Sequence, residues 1–132
     1  MNLQIEDREK EKIVILDLKG RLLGENDLSL LQRLLFLLES RHRKVILNFK
    51  DLSSVDESGL GTVAFCAMRF QEVGGRLVIL NPGQCRVAGV ESYQQEFDAV
   101  NSFFPNRVAP RYDILEFVKG QQQLREQESP AQ

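Results

Sequence analysis

The sequence is short of the residues from which metal and nucleophilic centres are commonly built. It has two cysteines, Cys66 and Cys85, which share no CxxC spacing, and a single histidine, His42. So few soft ligands do not make a zinc site, and both thiols are expected to be small apolar side chains in a reducing compartment, not a disulfide. Neither sign of charge is in excess: 17 Lys and Arg stand against 19 Asp and Glu, a formal net charge of −2. That balance argues against nucleic acid or an anionic membrane as a partner, since both select basic faces. No apolar run approaches the roughly 18 residues a membrane helix requires. The amino-terminal MNLQIEDREKEK is charged where a secretion signal is apolar, so a cytoplasmic protein is expected. Also absent are GxxxxGKS, GxxxxGKT and GxSxG, which removes the nucleotide-binding loop and the hydrolase nucleophile elbow.

What is there has the size and balance of one soluble domain: 132 residues, 42% hydrophobic and 27% charged. LQI and IVILDLKG read as strands around the charged EDREKEK, a solvated hairpin connection. Leu31, Leu34, Leu35 and Leu38 recur at helical spacing, with Asn26 as N-cap, Asp27 in the first turn, and Arg41, His42, Arg43 and Lys44 at the carboxyl end. KVILNF is apolar on both faces, as in a parallel strand covered by helices, and KDLSSVDES follows as a loop. A helix from Gly59 to Val73, stopped by Gly74 and Gly75, leads to the buried strand RLVIL and an NPG turn. Lys44 to Leu80 is therefore a right-handed βαβ unit. Beyond Gln84, QCRVAGV suits a short helix, SFF a short strand, and PRYDILEFVKG a closing helix between Pro110 and Gly120. The domain is expected over residues 1–120, and the polar QQQLREQESPAQ, 121–132, as a disordered tail.

VDESGLG, Val55 to Gly61, sets one hydroxyl between two acids and two glycines. Placed before a helix at Gly59, Ser58 is the N-cap, and its oxygen can accept from an orphan N–H, worth about 1 kcal/mol over alanine. Gly59 and Gly61 argue against a purely capping role. Each costs on the order of 1 kcal/mol against alanine in a helix, and their lack of side chains leaves the backbone approachable by another molecule. At roughly 100° per residue, Leu60, Val63, Ala64 and Ala67 share one face, while Phe65 falls on the solvent side with Thr62, Arg69 and Glu72. Phe65 reads either as a docking anchor or as a scattered surface apolar residue. No base is tied to Ser58 by spacing, and His42 reads as a surface residue at a helix end. A phosphoacceptor aspartate of receiver type, at Asp51 or Asp56, needs a second acidic cluster to hold Mg²⁺; Asp17 inside a strand and Glu25 well after it do not supply one. No catalytic residue, metal or cofactor is assigned.

KVILNFKDLSSVDESGLGTVAF resembles the signature of the STAS domain in bacterial anti-sigma factor antagonists. The order from IVILDLKGRLLGE through the helix and the signature to GGRLVILNP is similar to that family from about Ile13 to Pro82. The resemblance implies an α/β STAS fold: a central mixed sheet of four to five strands packed by about four helices, with a parallel βαβ core. It also implies a partner switch. The unphosphorylated domain binds an anti-sigma factor that is a GHKL-type serine kinase and so frees a sigma factor; phosphorylation releases it, and a PP2C-type phosphatase resets the cycle. The matching acceptor is Ser58, with partner contacts expected from Asp56, Glu57, Ser58, Gly59, Leu60, Gly61, Thr62, Phe65 and Arg69. Many members carry a second hydroxyl residue between the aspartate and the acceptor, whereas this chain has Glu57, which leaves Ser58 as the one acceptor in the motif. Other roles on the same fold are a scaffold in a stress-sensing assembly or a subunit of a lipid transport complex. Outward apolar residues such as Phe65 suit a homodimer as well as a heterodimer.

Overall fold

The computed structural model describes residues 3–105. A hairpin of β1 (Gln4–Lys10) and β2 (Ile13–Leu22) is followed by α1 (Leu28–Glu39), β3 (Lys44–Val55), α2 (Glu57–Glu72), β4 (Arg76–Leu80), β5 (Ser92–Tyr93) and α3 (Glu96–Asn101). The sheet order is β1-β2-β3-β4-β5, with β1 antiparallel to β2 and the remaining neighbours parallel. This is the expected mixed α/β architecture, with three helices among the described residues. The predicted closing helix PRYDILEFVKG and the tail 121–132 lie outside them.

Alternation along the central strands separates two cores. Val14, Leu16, Leu18, Val45, Leu47, Leu77 and Ile79 meet α1 and α2 on one face, while Ile13, Ile15, Ile46, Val78 and Leu80 meet Ala99 and Val100 of α3 on the other. Strands buried on both faces need the continuous apolar runs read from the sequence.

Several local expectations are corrected. EDREK is strand, not connection: Glu11 and Lys12 alone make the turn, both with positive φ (53° and 70°), the geometry of a two-residue type I′ hairpin. The charges then lie on an edge strand, where they discourage pairing with other chains. In α1 the buried stripe is Leu30, Leu34 and Leu37, with Leu31 and Leu38 packed beside it. Asp27, not Asn26, takes the N-cap position, without a side-chain cap. Asn26 instead closes the turn before it, accepting from Leu23 N–H at 2.9 Å and donating to Arg21 O at 3.0 Å. QCRVAGV is not a helix: a turn at Gly83 precedes it and another falls within it at Gly89, both glycines at positive φ. SFF is not a strand; the edge strand is β5, where Asn81 N–H donates to Tyr93 O at 2.8 Å, and Ser102 and Phe103 close α3.

Candidate functional site

The site is built by two strands that outrun the sheet. β3 pairs with β4 only as far as Asn48↔Leu80, but with β2 it continues to Leu22↔Val55 through register shifts after Asp17 and Gly20. KDLSSV is therefore strand, not loop. Its polarity reflects a two-stranded ribbon in which Lys50, Asp51, Ser53 and Ser54 are exposed. The ribbon places the end of β2 beside the start of α2, and Asp56 N–H donates to Leu22 O at 3.2 Å.

The cap of α2 lies two residues earlier than its composition suggests. Asp56 is extended (φ −107°, ψ 176°), and its Oδ1 accepts from Gly59 N–H at 2.8 Å. A carboxylate there satisfies an orphan donor and complements the helix dipole. Its Oδ2 accepts from Gly24 N–H at 3.2 Å. Hydrogen bonds from Gly59 and then Gly24 hold the Asp56 carboxyl below its ordinary range, so it is ionised at neutral pH. Ser58 is consequently not the cap but the second residue of α2, exposed, with no hydrogen bond from its hydroxyl to another described residue.

The glycines divide. Gly59 is buried because α2 packs on β2 there: a Cβ would stand 2.6 Å from Leu22 O. Gly61 is exposed, with nothing within 4 Å of a Cβ, so it alone offers open backbone. The buried face of α2 is Gly59, Val63, Cys66 and Phe70, with Leu60, Ala64 and Ala67 beside it. Of the expected contact residues, Asp56, Glu57, Ser58, Gly61, Phe65 and Arg69 are brought together at the surface. Gly59 is not available, Leu60 packs against the core, and the Thr62 hydroxyl turns inward to donate to Asp27 Oδ2 at 2.6 Å. Phe65 is 43% exposed, and the Arg69 guanidinium lies 5.9 Å from its ring centroid. Met68, 49% exposed, widens the apolar patch. The sequence reading missed it, although it lies at i+3 from Phe65. Also missed was Gly24, where a Cβ would come within 2.7 Å of Ser58 Cβ and 2.8 Å of its Oγ. Its signal, one glycine in a turn, is weak.

Other chemistry finds little support. Asp17 binds Arg8 at 2.7 Å and Asn48 at 2.8 Å, and no group of three His, Cys, Asp or Glu among the described residues is arranged to hold a metal. Burial pushes the Cys66 thiol up to about 11, against a smaller opposing effect of Arg69, which leaves it an unreactive core residue. Among the described residues, no helix is long and apolar enough to cross a membrane.

A mixed five-stranded sheet with α1 and α2 on one face and α3 on the other defines the class of α/β domain to which the chain belongs. The STAS domain family profile matches residues 4–104, and the chain belongs to that family. Among solved structures it is similar to the anti-sigma factor antagonist SpoIIAA in its unphosphorylated form, at 21% identity and a TM-score of 0.63 over 80% of this chain and 99% of that one. The phosphorylated form of Bacillus SpoIIAA matches at 22% identity and 0.60, over 76% and 98%. A Thermotoga maritima protein assigned as an anti-sigma factor antagonist matches at 19% and 0.68, over 74% and 92%. The murine anion transporter Slc26a9 matches at 17% and 0.58, over 75% of this chain but only 19% of its own. At these identities the likeness is one of fold.

Proposed function

We propose that the chain is an anti-sigma factor antagonist controlled by phosphorylation. Unphosphorylated, it binds an anti-sigma factor that is also a GHKL-type serine kinase, through Asp56, Glu57, Ser58, Gly61, Phe65 and Arg69, and a sigma factor is thereby released. The kinase transfers the γ-phosphoryl group of ATP to Ser58. The Oγ–P bond forms as the bond to ADP breaks, and the hydroxyl proton passes to a base of the kinase or to water. A PP2C-type phosphatase restores the hydroxyl. The observation that carries this reading is the Ser58 hydroxyl itself, exposed at the amino end of α2 and relieved of capping by Asp56.

The added charge, about −1.5 to −2 at neutral pH, is tolerable in the free domain because a helix amino terminus favours anions. In a complex it faces desolvation beside Asp56 and Glu57, so binding changes while the fold persists. Incubation with ATP and a candidate kinase, followed by mapping of the modified residue, tests activity and site together. Phosphate on Ser58 in the wild type and none in Ser58→Ala is expected. No modification, or modification elsewhere, counts against the reading, as does equal partner affinity for Ser58→Asp and wild type.

A scaffold or accessory role without sigma control, in a stress-sensing assembly or a lipid transport complex, is the second reading. It is favoured by the occurrence of this fold within a murine anion transporter. Affinity isolation distinguishes the two: a small GHKL-type kinase supports the switch, and membrane transport subunits support the accessory role.

A further inference from the structure

The turn joining β2 to α1 is fastened to the first turns of α2 at four points. Asp56 N–H donates to Leu22 O at 3.2 Å, Gly24 N–H to Asp56 Oδ2 at 3.2 Å, and Thr62 Oγ1 to Asp27 Oδ2 at 2.6 Å. The fourth is the close seat of Gly59 on Leu22. At the crest of the turn Gly24 is pressed on Ser58, for a Cβ there would lie 2.8 Å from Ser58 Oγ and 4.0 Å from Asp56 Oδ2. The Ser58 hydroxyl therefore lies beside the turn while remaining exposed to solvent. Asp56, meanwhile, is the shared acceptor of one N–H from each side of the contact.

We propose that residues 23–26 are a moving part of the switch: charge gained by Ser58 frees the turn from α2 by breaking the Gly24 N–H to Asp56 bond, and the partner reads the displaced turn. This rests on Ser58 as the phosphorylated residue and supplies the regulation of that site. Phosphate oxygens and the Asp56 carboxylate repel one another, which drives Asp56 off the longer of its two bonds, 3.2 Å to Gly24 against 2.8 Å to Gly59. Gly59 N–H is held in place by its helix, whereas Gly24 N–H belongs to an exposed turn and is the donor that yields. The Leu22 contacts and the Thr62–Asp27 bond anchor both ends of the turn, so the movement is confined to its crest.

The test is amide NMR of wild type, Ser58→Ala, Ser58→Asp and the double variants Asp56→Asn/Ser58→Ala and Asp56→Asn/Ser58→Asp. In Ser58→Asp the signals of Leu23, Gly24 and Glu25 should move, and Gly24 N–H should exchange about fivefold faster than in Ser58→Ala. With asparagine at 56 the side-chain oxygen still caps Gly59 but an NH2 faces Gly24, so the Gly24 bond is already absent, and the ratio between the two double variants should fall below about twofold. Kinase-phosphorylated protein should reproduce the Ser58→Asp pattern. Wild-type positions for residues 23–25 in Ser58→Asp would overturn the proposal even where a kinase modifies Ser58. An undiminished ratio between the two double variants would overturn the part given to Asp56. Displacement in Ser58→Asp with no kinase able to phosphorylate the protein would support the coupling and sink the functional reading instead.

Discussion

Gly59 and Gly61 sit two positions apart in α2 and answer to different neighbours. A side chain at Gly59 meets Leu22 O at 2.6 Å, a backbone atom that cannot swing aside. Gly59→Ala should therefore destabilise by about 1–3 kcal/mol, the cost of forcing packed elements apart. At Gly61, with open space around a Cβ, alanine should stabilise by about 0.5–1 kcal/mol by improving the helix and restricting the unfolded chain. Urea midpoints for the two variants check the pair, and a matching sign would contradict the assignment of only one of them to packing. Sequence reading could not separate them, because the difference lies in β2, more than thirty residues away along the chain. The same holds for the cap. Asp56 and Ser58 are both good N-cap residues, and the choice between them follows from β3 running to Val55, which depends on its pairing with β2. The position of Ser58 at the amino end of α2 was legible, since the two-residue shift only moves it from the cap into the first turn.

Among the elements, periodicity made the long ones visible and their ends obscure. The stop of α1 shows why. The basic run from Arg41 to Lys44 looks like a set of charges for the helix dipole, yet none lies in the last turn. The helix ends instead by backbone hydrogen bonds, Arg41 N–H to Leu38 O at 3.1 Å and His42 N–H to Leu37 O at 2.8 Å, with Arg41 at φ 67°. Arg43 serves the other helix, donating to Val73 O at 2.6 Å. A non-glycine residue in the left-handed region costs roughly 1–2 kcal/mol. Arg41→Gly should raise stability by about 1 kcal/mol, or roughly 4–8 °C in melting temperature for a domain of this size. An unchanged melting temperature in a thermal scan would mean that Arg41 is compensated by contacts glycine cannot make. β5 was illegible for a different reason: two residues carry no periodicity, and their strand character comes only from pairing with β4.

Across the domain as a whole, the candidate contact surface and an extended ion-pair network among the described residues lie on opposite faces of the sheet. Ser58, Phe65 and Arg69 belong to α2, whereas Arg8 of β1 joins Asp17 of β2 and Glu96 of α3, each at 2.7 Å, on the side that α3 covers. The Arg8 hydrogen bond holds the Glu96 carboxyl below its ordinary value. For Asp17, partial burial pushes upward, but the bonds from Arg8 and Asn48 outweigh it and the carboxyl again ends low. Groups depressed in the folded state contribute stability that is complete above their unfolded values, near pH 4, and is lost as pH falls through the lower folded ones. Arg8→Gln should accordingly be less stable than wild type by about 1 kcal/mol at pH 5–7, a modest figure for pairs this exposed. The two should converge as the pH drops below about 4. Urea midpoints across pH 3–7 measure the difference, and a gap that stayed constant would assign Arg8 to packing rather than charge. The difference between Arg8 and Arg8→Gln should keep its size and pH course when both carry Ser58→Asp. A charge on the α2 surface is separated by the sheet from the Arg8 network, so the two variants should act independently, and a change in the Arg8→Gln difference on adding Ser58→Asp would show that the two faces are coupled.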